Sequence, residues 1–226
     1  MLHPLFRWFG RALAVGVLLA APIAYAQSET QSTVVGAERT LADLRHNPEF
    51  GTAARALHRA KAVVIIPRLY KGGFIVGGEG GVGVMMVQAH DGTWSNPAFY
   101  AIGSASFGLQ IGLERSELVL LVMTQRGLDG LLRNQFKLGA GAGITLVTLG
   151  SGVEAALAGP TPPDIVVWSA SMGAYGGLTV SGSILHPLPG DDRAWYGSPI
   201  TTREILFGRF EYPASATLRR EVQSIG

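Results

Sequence analysis

The sequence predicts an α+β protein, mainly β, with a curved antiparallel β-sheet or barrel-like core, N-terminal helices and short closing helices. Three observations carry that expectation. Glycine is threaded through apolar, strand-like sequence between Gly72 and Gly112, in KGGFIVGGEGGVGVMMVQ and again in AIGSASFGLQIG. Glycine lacks a Cβ, so its repeated use inside strands marks curvature, bulges or close approach of another backbone. The chain ahead of this block has helical periodicity instead, and the chain well beyond it carries helix caps.

Taken in order, the first 26 residues read as a secretory signal peptide. Arg7 and Arg11 form a positive region, Ala12 to Ala21 an apolar region, and Ala24-Tyr25-Ala26 a small-residue cleavage site before Gln27. The apolar run is far shorter than the ~20 residues needed to span a bilayer, so no transmembrane span is expected in the mature chain. Cleavage leaves 200 residues. The whole chain has 18 Lys+Arg against 16 Asp+Glu, and loss of Arg7 and Arg11 brings the two sides level. The pI near 9.1 is then mostly a property of the signal peptide. A neutral exported chain offers no global field for phosphate backbones, and nucleic acid is not an expected partner. Cysteine is absent, which excludes disulfides, thiolate metal sites, a Cys nucleophile and acylation at a lipoprotein cysteine.

A polar stretch, Gln27 to Thr33, precedes a helix from Val34 to His46 with Val34, Ala37, Leu41 and Leu44 on one face. Asn47-Pro48-Glu49 then reads as a cap, a proline at the first helical position and an acid in the first turn of a second helix reaching Ala60. From Ala62 the period changes. Ala62 to Pro67 and Phe74 to Gln88 are strands, and Asp91-Gly92 turns the chain into Thr93 to Tyr100. Ala105 to Leu113 alternates as a half-buried strand, and Leu118 to Met123 is apolar throughout, as in a strand covered on both sides. A short helix follows with Leu128, Leu131 and Leu132 on one side. Ile144 to Leu149, Ile165 to Ser171 and Tyr175 to Leu185 are further strands. Asp191 is expected to cap a helix over Asp192 to Tyr196, and Thr201 with Glu204 forms a capping box for another ending at Gly208. The tail from Ala214 to Ser224 has the spacing of a third, exposed helix through Leu218 and Val222.

Motifs for chemistry are sparse. Gly78-Glu79-Gly80-Gly81-Val82-Gly83 matches G-x-G-x-x-G, but a dinucleotide site needs a helix next, and Val84 to Gln88 reads as strand. Gly139 to Gly143 lacks the Lys-Ser/Thr of a phosphate loop. His46, His58, His90 and His186 are far apart in sequence, with no H-E-x-x-H. Ser104, Ser106, Ser169 and Ser171 lie in strand-like sequence, none in a G-x-S-x-G elbow. Asp191-Asp192 is explained by capping. No catalytic residue, cofactor or metal is expected, and the chain is not read as an enzyme. One local charge cluster stands out: Arg55, Arg59, Lys61, Arg68 and Lys71 fall within 17 positions with no acid between them. Such a cluster suits anionic lipid headgroups, at about 1 kcal/mol per basic residue near a charged surface, or is an ordinary solvated face whose acidic partners come from elsewhere in the fold.

Ala60-Lys61-Ala62-Val63-Val64-Ile65-Ile66-Pro67, then Lys71-Gly72-Gly73-Phe74 and Gly77 to Val84, closely resembles the opening of the SYLF domain family, the lipid-binding, Ysc84-type actin-binding domain. The likeness continues through Trp94-Ser95-Asn96-Pro97-Ala98-Phe99, Gly108 to Gly112, Leu118 to Met123 and Phe136-Lys137-Leu138-Gly139. It implies a single β-rich domain over residues 40–208, after a polar N-terminal segment over 27–39 and before a C-terminal tail over 209–226. Eukaryotic members are linked to phosphoinositide membranes and actin, and bacterial members are exported, often as lipoproteins. This chain has no lipoprotein cysteine, so any membrane contact is made by protein surface. The resemblance implies an exported, periplasmic, non-catalytic domain that binds anionic phospholipid or a membrane-surface protein. The alternative is a soluble periplasmic structural or interaction protein with no lipid role. A transmembrane β-barrel fits the alternating strands, but not the helical first third or the all-apolar Leu118 to Met123.

Overall fold

The computed structural model describes residues 6–48, 50–73, 76–107, 112–133, 136–138, 146–148, 153–172 and 182–225. The side chains of 6–25, 72–77, 105–114, 146–148, 153–154 and 171–172 lie outside that description. Helices α1 (Phe6–His46) and α2 (Phe50–Arg59) lead into strands β1 (Ala62–Gly73), β2 (Val76–Val87), β3 (Ala98–Phe107) and β4 (Gly112–Val122). Then come α3 (Gln125–Leu131), β5 (Phe136–Lys137), β6 (Leu146–Thr148), α4 (Val153–Ala158), β7 (Ile165–Met172) and β8 (Ile184–Pro187). The chain closes with α5 (Pro189–Tyr196), α6 (Thr202–Phe207), a 3-10 turn (Pro213–Ser215) and α7 (Ala216–Ile225).

Among the described residues one sheet runs in the order β5-β8-β3-β2-β1-β4-β7-β6 and curls into a half-barrel. Every pairing is antiparallel except β6 with β7. The fold is therefore the α+β architecture with a curved sheet that the glycine block implies. Strand β1 is central and continues past Pro67, where the sequence pattern stops it. The register with β2 slips between Ile65 and Arg68, and with β4 between Ile66 and Leu69. That bulge is where a residue without an N–H fits a strand paired on both sides. Leu118 to Val122 of β4 are all at most 2% exposed, as their unbroken apolar run requires.

The bulge also separates two ends of the sheet. On one face, Val63 and Ile65 of β1, Val84 and Met86 of β2 and Phe99 of β3 share register and are buried. Helices α1 and α5 pack here; the Phe99 ring meets Trp195 edge-on at 6.0 Å. Trp195, Tyr196, Phe210 and Tyr212 continue that aromatic contact outward, with centroids 4.7 to 6.0 Å apart. Such pairs contribute roughly 0.5–1.5 kcal/mol each beyond area burial. The opposite face carries Tyr100, whose hydroxyl donates to the Leu131 carbonyl at the end of α3.

Several local expectations are corrected. Helix α1 is continuous through Gln27 to Thr33, and Thr30, Thr33 and Val34 are buried, so this polar stretch packs against the fold rather than preceding it. Ala105 to Leu113 is not one strand: β3 ends at Phe107 and β4 begins at Gly112, residues 108–111 lying outside the described set. Beyond the Asp91-Gly92 turn, Trp94 makes only an isolated bridge to Gln88, and regular pairing resumes at Ala98. Helix α4 has no counterpart in the sequence pattern. Most of the Tyr175 to Leu185 strand falls outside the described residues, as do Phe74, Ile144 and Glu49. Helix α5 is capped at Leu188 with Pro189 leading, not at Asp191. The terminal helix is not exposed on all sides, because Leu218, Val222 and Ile225 are buried.

Candidate functional site

Helix α2 is the most amphipathic piece of the described chain near the basic cluster. Ala53, Ala56 and Leu57 turn inward, while Arg55, His58 and Arg59 stay in solvent. Spacing of three and four residues sorts them onto opposite faces. Its last turn holds His58 and Arg59, where cations are favoured by the helix dipole. An open cleft of about 500 Å³ lies along this helix, lined by Thr52, Ala54, Arg55, His58, Arg59, Leu157 of α4 and Ile225 of α7. Its walls are cationic and parts of its floor are apolar. Arg59 Nη2 donates to the Leu157 carbonyl at 3.3 Å, which ties α2 to α4, and Arg55 Nη2 donates to Thr52 Oγ1 at 3.3 Å.

The five cations of the sequence cluster do not converge. Lys61 is exposed at the junction of α2 and β1, its backbone fixed by N–H donation to Val122 O at 2.7 Å and by Gln88 N–H donation to its carbonyl at 2.9 Å. Arg68 is half-buried at the bulge and donates from Nη2 to Ser32 Oγ of α1 at 2.5 Å. Lys71 is half-buried toward the far end of β1, in register with Glu79 on one side and Glu114 on the other. A strand rises about 3.3 Å per residue, so Lys61 and Lys71 stand roughly 30 Å apart. Arg55 and Arg59 line one cleft, Lys61 is exposed two residues beyond Arg59, Arg68 braces α1 against β1, and Lys71 belongs to a cross-strand row with acids.

Polar groups that the sequence pattern passed over are buried elsewhere. Asp192 is fully buried, accepting from Phe99 N–H at 2.8 Å and Thr202 Oγ1 at 2.7 Å. Burial pushes its carboxyl up to about 6, against the opposing pull of those two hydrogen bonds. Asp164, also fully buried, receives Arg126 through Nε at 3.1 Å and Nη2 at 2.6 Å, and the Thr124 hydroxyl as well. Thr124 in turn caps α3 by accepting from Gly127 N–H. Glu79 is 8% exposed and accepts from the Ser183 hydroxyl. Each joins elements that are distant in sequence, and none opens onto the cleft of α2. Among the described residues no three His, Cys, Asp or Glu side chains are grouped to hold a metal ion, and no helix is long and apolar enough to cross a membrane.

A family model described as "Ysc84: Las17-binding protein actin regulator" matches residues 103–225, more than half of the chain. The chain is similar to "Protein YSC84" of Saccharomyces cerevisiae, at 31% identity over 71% of this chain and 35% of that protein. It is 32% identical to yeast "LAS seventeen-binding protein 3" over 70% of this chain and 35% of that one. With human "SH3 domain-containing YSC84-like protein 1" it shares 28% identity over 76% of this chain and 50% of that protein. The chain thus spans about a third to a half of the length of the curated relatives it matches. The family description names Las17 binding and actin regulation, and one of the yeast relatives is named for LAS seventeen binding. On this match the chain belongs to the Ysc84 family, the SYLF-domain proteins.

Proposed function

We propose that this chain is an exported, non-catalytic binding domain that attaches to anionic phospholipid surfaces through the basic face of α2. The observation that carries the reading is the cleft where Arg55, His58 and Arg59 rise around Ala54, Leu157 and Ile225. Cations beside an apolar floor match a phosphate headgroup above hydrocarbon. Lys61 extends the same surface at the α2–β1 junction. Export rests on the signal-like sequence over 1–26, and with no cysteine for acylation the attachment is reversible and electrostatic. The relatives named for Las17 binding and actin regulation support a docking role. A membrane-surface protein with an acidic face is the competing partner.

Co-sedimentation with vesicles tests this. The chain is expected to pellet with phosphatidylglycerol vesicles at low salt, to be released at high salt, and to ignore phosphatidylcholine vesicles. Replacing Arg55, Arg59 and Lys61 together by alanine should weaken binding by roughly two orders of magnitude, at about 1 kcal/mol per cation. Binding that survives the triple replacement removes the site. Failure of the parent chain to bind either vesicle removes the lipid reading and leaves the protein partner.

A further inference from the structure

Three of the large apolar side chains exposed on this molecule lie on one sheet face: Tyr70 at 54%, Ile184 at 38% and Val82 at 37% exposed. Register places them together. Reading straight across six neighbouring strands, from β4 through β1, β2, β3 and β8 to β5, one row is Arg115, Tyr70, Gly80, Gly103, Ile184, Lys137. Adjacent strands are about 4.8 Å apart, so Tyr70 and Ile184 stand roughly 14 Å from each other with bare backbone between them. Arg115 and Lys137 are exposed at the two ends. The next row toward the helices reads Arg68, Val82, Ala101, His186; across the bulge on β4 it meets half-buried Glu117, which shares a face with Arg115, while the row of Tyr70 itself contains no acid.

The two glycines of this floor are not demanded by the fold. A Cβ on Gly80 would come no nearer than 3.8 Å to any neighbour, and one on Gly103 no nearer than 3.5 Å, both ordinary contacts. Gly81 and Gly83, which point to the other face, have no such freedom, since a Cβ there would fall 2.5 Å and 2.0 Å from carbonyl oxygens of β1. Close approach from outside is the remaining use of a bare strand position. The floor also limits what lies on it. β2 and β3 are interior strands paired on both sides, so the floor has no free N–H or C=O to offer. A peptide laid across it would lose water from its own polar groups without replacement, whereas a hydrocarbon chain has none to lose. A second copy of the same face would set cation against cation.

We propose that this row is an acyl-chain rest: one chain of an anionic phospholipid lies between Tyr70 and Ile184 over Gly80 and Gly103, its phosphate held at Arg115 or Lys137. This rests on the anionic-lipid reading above and adds a second contact, at the opposite end of β1 from α2.

The test uses the full chain with monomeric lysophosphatidylglycerol and, separately, glycerol 3-phosphate. The lysolipid should bind and the free headgroup should not. Gly80→Thr with Gly103→Thr fills the floor with a residue that strands favour, so the unfolding midpoint should hold or rise while lysolipid affinity falls about tenfold or more. Lys137→Gln with Arg115→Gln, on exposed side chains, should weaken it comparably. Equal binding of glycerol 3-phosphate, parental affinity in the threonine variant, or preference for an extended acidic peptide over the lysolipid would each overturn the acyl-chain rest. If the parent binds no anionic vesicle, the function proposed above falls too. If the parent binds vesicles through Arg55, Arg59 and Lys61 while the threonine variant behaves as the parent, only this inference falls.

Discussion

Gly83 lies so close to Ile65 that a Cβ on it would stand 2.0 Å from the Ile65 carbonyl oxygen. The two residues are on paired strands beside the β1 bulge, where the register slips to accommodate Pro67. Glycine here is a packing requirement, unlike the glycines of the outer row. The contrast gives a direct expectation. Gly83→Ala must push β1 and β2 apart and should cost on the order of 3 kcal/mol, as overpacking does. Gly80→Ala should instead gain about 0.5–1 kcal/mol by restricting the unfolded chain. Urea unfolding of both variants measures the difference, and equal midpoints would refute it.

Asp192 makes stability depend on pH. Its folded carboxyl is raised to about 6 from an ordinary value of 3.8, with burial as the main cause. Between those values the folded state holds a proton that the unfolded state has lost. The contribution is therefore fully present below about pH 4 and is lost as pH rises through about 6, on the order of 3 kcal/mol in all. Glu38, Glu117 and Asp191 are raised in the same direction, each chiefly by burial. Asp192→Asn keeps an acceptor for Phe99 N–H and should flatten the fall in stability between pH 4 and 7, measured by denaturant midpoints. An unchanged slope would contradict the assignment.

Two arginine–aspartate pairs among the described residues differ in weight. Asp164 is fully buried and receives the Arg126 fork plus the Thr124 hydroxyl, so Asp164→Ala strands donors of α3 and should cost about 3 kcal/mol. Arg209 and Asp91, 3.3 Å apart with side chains 81% and 46% exposed, make a surface pair. Arg209→Ala should leave the unfolding midpoint almost unmoved. Thermal melts of the two alanine variants decide between these outcomes.

The terminal helix is predicted to be part of the cooperative unit. Leu218 and Val222 are fully buried, Ile225 lines the α2 cleft, and Arg45 of α1 bridges to Glu221 at 3.0 Å. Leu218→Ala should cost roughly 2–5 kcal/mol, and a single unfolding transition should report it. A separate early transition for α7 would show a loosely attached tail.

Local signals were legible in the sequence and distant ones were not. The Thr201–Glu204 capping box is read from four residues, and it is present in both directions, as Glu204 N–H to Thr201 Oγ1 and Thr201 N–H to Glu204 Oε2. The all-apolar stretch of β4 reads correctly because burial on both faces leaves no polar position. By contrast, Leu218 and Val222 at four-residue spacing say that a helix has an apolar face without saying what covers it. Asp192 looked like its neighbour Asp191 because only the fold brings Phe99 and Thr202 to it. Arg55 to Lys71 form a cluster along the chain, but β1 is extended, so proximity in sequence becomes separation in space. The register that aligns Tyr70, Gly80, Gly103 and Ile184 depends on pairings that no single segment encodes. Strand β6 falls within the predicted Ile144 to Leu149 strand, but its parallel pairing with β7 is a relation between distant segments that its own residues do not encode.

Partition of the parent chain between water and vesicles, as the phosphatidylglycerol fraction is raised at fixed low salt, measures attachment through the basic face of α2. Affinity should climb steeply with anionic lipid and collapse on adding salt, because screening over about 10 Å at 0.1 M weakens exposed cations such as Arg55, Arg59 and Lys61. Partition that is absent throughout, or indifferent to anionic lipid and to salt, would contradict it.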